Sequence, residues 1–304
     1  YMSHMKANVL MLIASLIWGT AFVSQTTGMG HIGPFTFSFA RFFFAMITVL
    51  PLAIIWEKNN VTKIIYNKNL LLLSLFTGFA LFMGMGLQQY SLLKSQVSNA
   101  SFLSTLYVPF VSLISRFIFK SRLTWIVWVA VVLCLYGSYL LSSNQAWDIQ
   151  QSDSLLFIAA FFFAVHIILV DIFMKQFYSP FIFGFIQYFI VFGCSLIIAL
   201  IFENPILANI QLEWFEIIYT GVFSAGIGYT LQIIAQSKAH PAPAAIILSM
   251  ESVFGTIAAW LILSQTLDLN KIIGCVAIFI GVVLVQLAPR YRHKNGRKNY
   301  MNNI

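Results

Sequence analysis

The chain reads as all-α: a polytopic membrane protein of ten transmembrane helices arranged as two inverted five-helix repeats. Three observations predict this. Apolar residues make up 60% of the 304 and charged residues 9%, against roughly 45–50% and 25% in soluble domains. The apolar residues fall in stretches of about 20, the length that crosses hydrocarbon as a helix. Short patterns from the first half return in the second at a nearly constant offset.

The spans are placed at 7–25, 34–56, 70–92, 96–119, 123–142, 153–174, 181–203, 214–237, 241–264 and 271–288. Before them, YMSHM reads as an expression scar, with the native start at Met5. Residues 6–142 then form the first five-helix repeat, 143–152 a periplasmic linker, 153–288 the second repeat and 289–304 a basic cytoplasmic tail. Orientation follows from Lys and Arg in the short loops. One side carries Lys6, Lys58, Lys63, Lys68, Lys120, Arg122, Lys175, Lys238 and five cations of the tail, 13 in all, and the other only Lys94 and Lys271. Both termini are therefore expected in the cytoplasm, in a bacterial inner membrane. The net charge of +8 is a topology signal with a polybasic tail suited to anionic lipid, not a sign of nucleic-acid binding.

The repeat is legible in the residues themselves. PFTFSFARF (34–42) returns as PFIFGFIQY (180–188), a shift of 146. A shift of 144 aligns Gly84 with Gly228, Leu87-Gln88 with Leu231-Gln232, Ala100 with Ala244, Phe110 with Phe254 and Gly137 with Gly281. Five spans per copy is an odd number, so the second copy enters the membrane inverted. Inverted repeats are common in secondary transporters, with the substrate site between the halves.

The spans can be taken in order. The first begins after Lys6 like a signal peptide, but its apolar stretch is too long and the repeat gives it a partner. Its Trp18 reads as lipid-facing or core, and as a stacking surface for a planar substrate if it faces a cavity. The second holds Arg41, about seven residues from its start and so roughly 10 Å deep, with Gln187 as its counterpart in the phenylalanine-rich seventh span. Arg41 suits a substrate carboxylate, held bidentate, or a clamp on backbone carbonyls. The third and eighth spans carry amides and phenols at matched depth: Gln88, Gln89 and Tyr90 on one, Tyr229 and Gln232 on the other. The fourth strings Ser98, Asn99, Ser101, Ser104, Thr105 and Tyr107 along its length. Its serines are expected to bind neighbouring helices, Tyr107 to face the pathway, Pro109 to kink the helix and Arg116 to snorkel. The fifth and tenth share a small-residue face, Ala130 and Gly137 against Gly274 and Gly281, which predicts close packing between the halves. In the sixth, His166 is either a satisfied structural donor or a proton relay. With Asp171 it spells H-x4-D, but on a helix the two side chains point about 140° apart. The ninth buries Glu251, about ten residues in. An isolated carboxyl away from water favours its neutral form, suited to carrying a coupling proton, binding a substrate amine or holding helices together.

WGTAFV (18–23), SNASFLSTLYVPFVSLISRF (98–117) and APAAIILSMESVFGTIAAWLILSQTL (242–267) resemble the EamA-type drug/metabolite transporters, over nearly the whole chain. The resemblance implies ten helices in two halves that move small metabolites, often amino acids outward. Where the family commonly has Leu-Glu-Pro, this chain has Met250-Glu251-Ser252, and Tyr107 stands at the equivalent of Glu251 in the first copy.

The expectation is a secondary transporter of small metabolites, amino acids first, working by alternating access, with protons as the candidate coupling ion and Glu251 as their carrier, a substrate-amine ligand or a helix clamp. A facilitative uniporter or channel is the nearest alternative. An embedded enzyme such as an acyltransferase needs a catalytic cluster at one membrane face, and only the H-x4-D pair offers itself. No Walker motif, G-x-S-x-G or paired metal ligands occur, and Cys134, Cys194 and Cys275 lie apart in separate apolar runs. No enzyme activity, cofactor or metal is expected, and the assembly is expected to be a monomer or weak homodimer in the bilayer.

Overall fold

A computed structural model describes residues 2–95, 97–141, 151–264 and 266–287. Among them every regular element is helical. Among the described residues nine stretches are long and apolar enough to cross a membrane, and Trp125–Leu141 is a shorter apolar tenth. The chain is an all-α polytopic membrane protein. Most of the linker expected at 143–152, the tail at 289–304 and the Asn99 side chain lie outside the described residues.

The first half runs α1 (His4–Thr27), α2 (Pro34–Glu57), α3 (Asn60–Tyr66), α4 (Lys68–Ser91), α5 (Val97–Ser104), α6 (Tyr107–Phe117) and α7 (Trp125–Leu141). The second runs α8 (Gln151–Gln176), α9 (Pro180–Phe202), α10 (Leu207–Leu212) and α11 (Trp214–Ile218), a π-helical segment (Tyr219–Gly228), then α12 (Tyr229–Gln236), α13 (Pro241–Leu248), α14 (Met250–Leu263) and α15 (Leu269–Leu287). The short helices α3 and α10 occupy equivalent loops of the two halves, one on each membrane face. Side chains such as Phe43, Ile47, Phe202 and Leu261 lie on the outside, whereas Arg41, Gln89, His166, Gln187 and Gln232 are buried. Hydrocarbon solvates the former at no cost, while polar groups must find partners inside.

Helices pack in pairs that exchange when the halves are exchanged: α2 lies on α9, α7 on α15, and α4 on α8 just as α12 and the π segment lie on α1. The α7–α15 contact is close because it is built from small residues. A Cβ added at Gly137 would come within 2.6 Å of the Gly274 carbonyl, and one at Gly274 would meet the Gly137 carbonyl at the same 2.6 Å. The exchanged contact, Gly281 on the Ala130 carbonyl, leaves 3.2 Å. The small-residue face expected from sequence is thus the α7–α15 interface.

The structure interrupts three predicted spans. The fourth breaks between α5 and α6 at Thr105–Leu106, and the ninth between α13 and α14 at Ser249. The eighth, expected as a regular helix, widens into the π segment.

Candidate functional site

The two helix breaks are equivalent, since Thr105 and Ser249 stand 144 positions apart. Their chemistry matches as well. The Thr105 hydroxyl donates to the Phe102 carbonyl at 2.6 Å, and the Ser249 hydroxyl to the Ile246 carbonyl at 2.7 Å. The backbone then closes a three-residue turn in each copy, Val108 N–H to Thr105 at 2.9 Å and Ser252 N–H to Ser249 at 3.1 Å. A hydroxyl bonded back to its own helix competes with the regular ladder and bends it. Pro109 sharpens only the first break. It has no N–H for the Thr105 carbonyl and crowds it, which sets the bend four residues before the proline rather than at it. The second copy has Val253 there and still breaks.

Each break starts a new half-helix, and its N-terminus carries partial positive charge. Tyr107 opens α6 and Glu251 lies in the first turn of α14. These two residues, equivalent by the shift of 144, meet between the two breaks, both lining one cavity, with the phenol in electrostatic contact with the carboxyl. In this conformation the contact stops short of a well-formed hydrogen bond. A second equivalent pair also meets: the Tyr229 hydroxyl donates to the Met85 sulfur at 2.8 Å. A residue touches its own counterpart only where the exchange axis passes. The cavity lined by Tyr107, Glu251, Met85 and Tyr229 therefore lies on that axis.

The cavity measures about 40 Å³, room for about three waters at roughly 10–15 Å³ each. That volume is smaller than a metabolite. Trp18, Gln88, His166 and Gln232 also belong to the cavity wall. The Trp18 and Tyr229 rings lie 4.7 Å apart, and His166 meets Tyr229 edge-on at 5.8 Å. Trp18 Nε1 donates at 3.1 Å to the carbonyl of Ser224, within the π segment. The wider turn of a π-helix disturbs the regular ladder and is frequent at functional sites. Gly228 makes room for the indole, for a Cβ there would lie 2.6 Å from Trp18 Nε1.

The structure gathers seven sequence candidates around the cavity: Trp18, Gln88, Tyr107, His166, Tyr229, Gln232 and Glu251. Gln88 donates to Ser104 at 2.8 Å, and Gln232 to Gln236 at 2.7 Å, leaving its own Oε1 without a protein partner. Gln187 sits behind the wall, bonded to His166 at 2.7 Å. Gln89 is outside the wall and donates at 3.0 Å to the backbone carbonyl of Gln25, which lines it. Arg41 is 1% exposed and also outside the wall. Its carbon Cζ lies 5.2 Å from the Phe42 ring and 5.8 Å from Phe37, contacts worth up to about 2 kcal/mol when desolvated. The H-x4-D residues go separate ways, His166 to Gln187 and Asp171 to Lys175 at 2.8 Å. Among the described residues no group of three or more His, Cys, Asp or Glu is placed to hold a metal.

Sequence reasoning missed Gln25, Ser224 and the apolar Phe22, Met85, Phe163, Ile167 and Leu248. Gln25 carried a signal, an amide near the end of an apolar span. The apolar residues carried none, since a cavity wall and a helix interface use the same side chains.

A crystal structure 17% identical in sequence matches this fold with a TM-score of 0.77 over 94% of this chain and 98% of its own. A protein of Archaeoglobus fulgidus described as an uncharacterized transporter is 26% identical over 93% of this chain and 87% of its own length. The transporter YoaV of Bacillus subtilis is 21% identical over 92% and 96%. An S-adenosylmethionine uptake transporter of Rickettsia prowazekii is 27% identical over 47% of this chain and 46% of its own. The EamA-like transporter family matches twice, over residues 5–143 and 150–287, one copy for each half on either side of the axial cavity, and the chain belongs to that family.

Proposed function

We propose that the protein is a secondary transporter of small metabolites, amino acids first, which exports them by alternating access through the axial cavity. The observation that carries this reading is the meeting of repeat counterparts, Tyr107 with Glu251 and Met85 with Tyr229, around one cavity. A site on an exchange axis presents equivalent surroundings to both membrane faces. Two broken helices supply half-helix ends there, as in other transporters with inverted repeats. Glu251 is the group that exchanges a proton or binds a substrate ammonium, and Trp18 and Tyr229 stack on planar parts of the cargo. The termini lie in the cytoplasm of a bacterial inner membrane, as the loop cations favour, and the chain works alone or as a weak homodimer.

The test is counterflow in proteoliposomes against a panel of amino acids and related metabolites, with and without a pH gradient. Exchange of one class above protein-free vesicles supports the reading; none across the panel sinks it. Exchange indifferent to a pH gradient marks a facilitative carrier. One relative favours a second reading, inward movement of S-adenosylmethionine, a cationic amino acid whose adenine suits an aromatic wall and whose charge suits Glu251. That compound belongs in the panel, in both directions.

A further inference from the structure

We propose that Arg41 and Ser38 form a carboxylate subsite one layer behind the cavity wall, screened by Tyr229 in this conformation. The proposal rests on the axial cavity being the substrate site and adds the chemical class it selects.

Arg41 is the largest fully buried side chain among the described residues. Its Nε and Nη1 have no hydrogen-bond partner there, and neither does the hydroxyl of Ser38, also buried at 1% exposure. The two residues stand three apart on α2, hence on one helix face. Together they offer guanidinium N–H groups and a hydroxyl that no protein group receives. A clamp would spend those donors on backbone carbonyls, and Nε and Nη1 make no such bond. The neighbouring rings of Phe37 and Phe42 stabilise a cation but accept no conventional hydrogen bond. A planar fork of donors in an apolar setting is the arrangement that receives a carboxylate bidentately.

Tyr229 ties this subsite to the cavity. It belongs to the wall, and it is within electrostatic reach of both Arg41 and Glu251. A single tyrosine thus stands near both the cation and the acid. Its hydroxyl is held by Met85 at 2.8 Å, a weak acceptor, so turning the ring aside as the cavity widens breaks no strong hydrogen bond. A zwitterion then spans the site, its ammonium at Glu251 and its carboxylate at Arg41.

The experiment uses three probes with one phenyl ring: L-phenylalanine, 3-phenylpropionate and phenethylamine, measured by counterflow in proteoliposomes holding wild type, Arg41→Gln, Arg41→Lys or Ser38→Ala. Loss of a charge-assisted bond is expected to weaken half-saturation for the two carboxylates about tenfold or more in Arg41→Gln, leaving phenethylamine within about twofold. Arg41→Lys, which keeps charge without the fork, should fall between. Wild-type exchange of phenylalanine with all three probes unchanged in Arg41→Gln overturns the subsite and leaves the transport reading standing. Wild-type exchange of phenethylamine alone does the same. If wild type exchanges none of the probes, the subsite fails, and the transport reading is then judged on the wider panel. Should Arg41→Gln not fold, Ser38→Ala decides: a loss confined to the carboxylates supports the subsite, and equal behaviour on all three probes rejects it.

Discussion

Glu57 and Glu203 cap each other's helices. Glu57 ends α2 and accepts the N–H groups of Phe181 and Ile182, at 3.1 and 2.9 Å, at the start of α9. Glu203 follows α9 and accepts those of Phe35 and Thr36, at 3.0 and 2.7 Å, at the start of α2. The two glutamates are 146 positions apart, the shift that relates the helices they cap. Each satisfies orphan donors and opposes the positive helix end, and each sits at a different membrane face. The α2–α9 pair is pinned at both ends.

Removing either cap should loosen that pair. Glu57→Ala and Glu203→Ala are each expected to cost about 1 kcal/mol, the usual worth of an N-terminal cap. Gly33→Ala should resemble the second, because a Cβ there collides with the Glu203 carboxyl. Thermal unfolding in detergent should read each as a midpoint lowered by about 2 °C. Unchanged midpoints would show the caps to be idle.

The α7–α15 crossing should tolerate no added bulk. Gly137→Leu and Gly274→Leu each place a side chain where the partner's carbonyl already lies within 2.6 Å of a bare Cβ. Overpacking of this kind costs about 1–3 kcal/mol, and Gly281→Leu, with more room at 3.2 Å, should be milder. The ranking is read from melting midpoints of the three purified variants.

Orientation is open to a direct check. A cytoplasm-active reporter fused after residue 288 should be active and one inserted at 145–150 silent, as 13 loop and tail cations against two require. Activity at both sites would remove the ten-span topology, and with it the inversion of the second half.

Glu251→Gln keeps the shape of the side chain and cannot ionise. If Glu251 carries the coupling proton, the variant should still exchange substrate between vesicles and lose its acceleration by a pH gradient. A gradient response equal to wild type would take the proton from Glu251. Failure of the variant to fold would mark the carboxyl as a helix clamp.

Much of this was written locally. Membrane spans follow from apolar stretches of fixed length, because hydrocarbon solvates any apolar side chain and no bare backbone. The duplication was readable because whole blocks kept their register. It also named Tyr107 and Glu251 as counterparts, and Gly137 and Gly281 as parts of one small-residue face.

Other features needed the third dimension. Sequence gave Pro109 as the kink, but hydroxyls back-bonded to their own helix are what the two breaks share, and a Ser or Thr in an apolar span does this only in some settings. The π segment reads as ordinary helix, since its glycines matter through Trp18 and Thr48 packed against them. The reciprocal caps join residues more than 120 positions apart. By itself the sequence determined the solvent, the span count and the pairing of the halves, all of which depend on near neighbours and on self-similarity. The tertiary structure decided which polar side chains share a cavity and which, like Arg41, stay behind its wall, because burial and partnership belong to positions in space that distant segments create together.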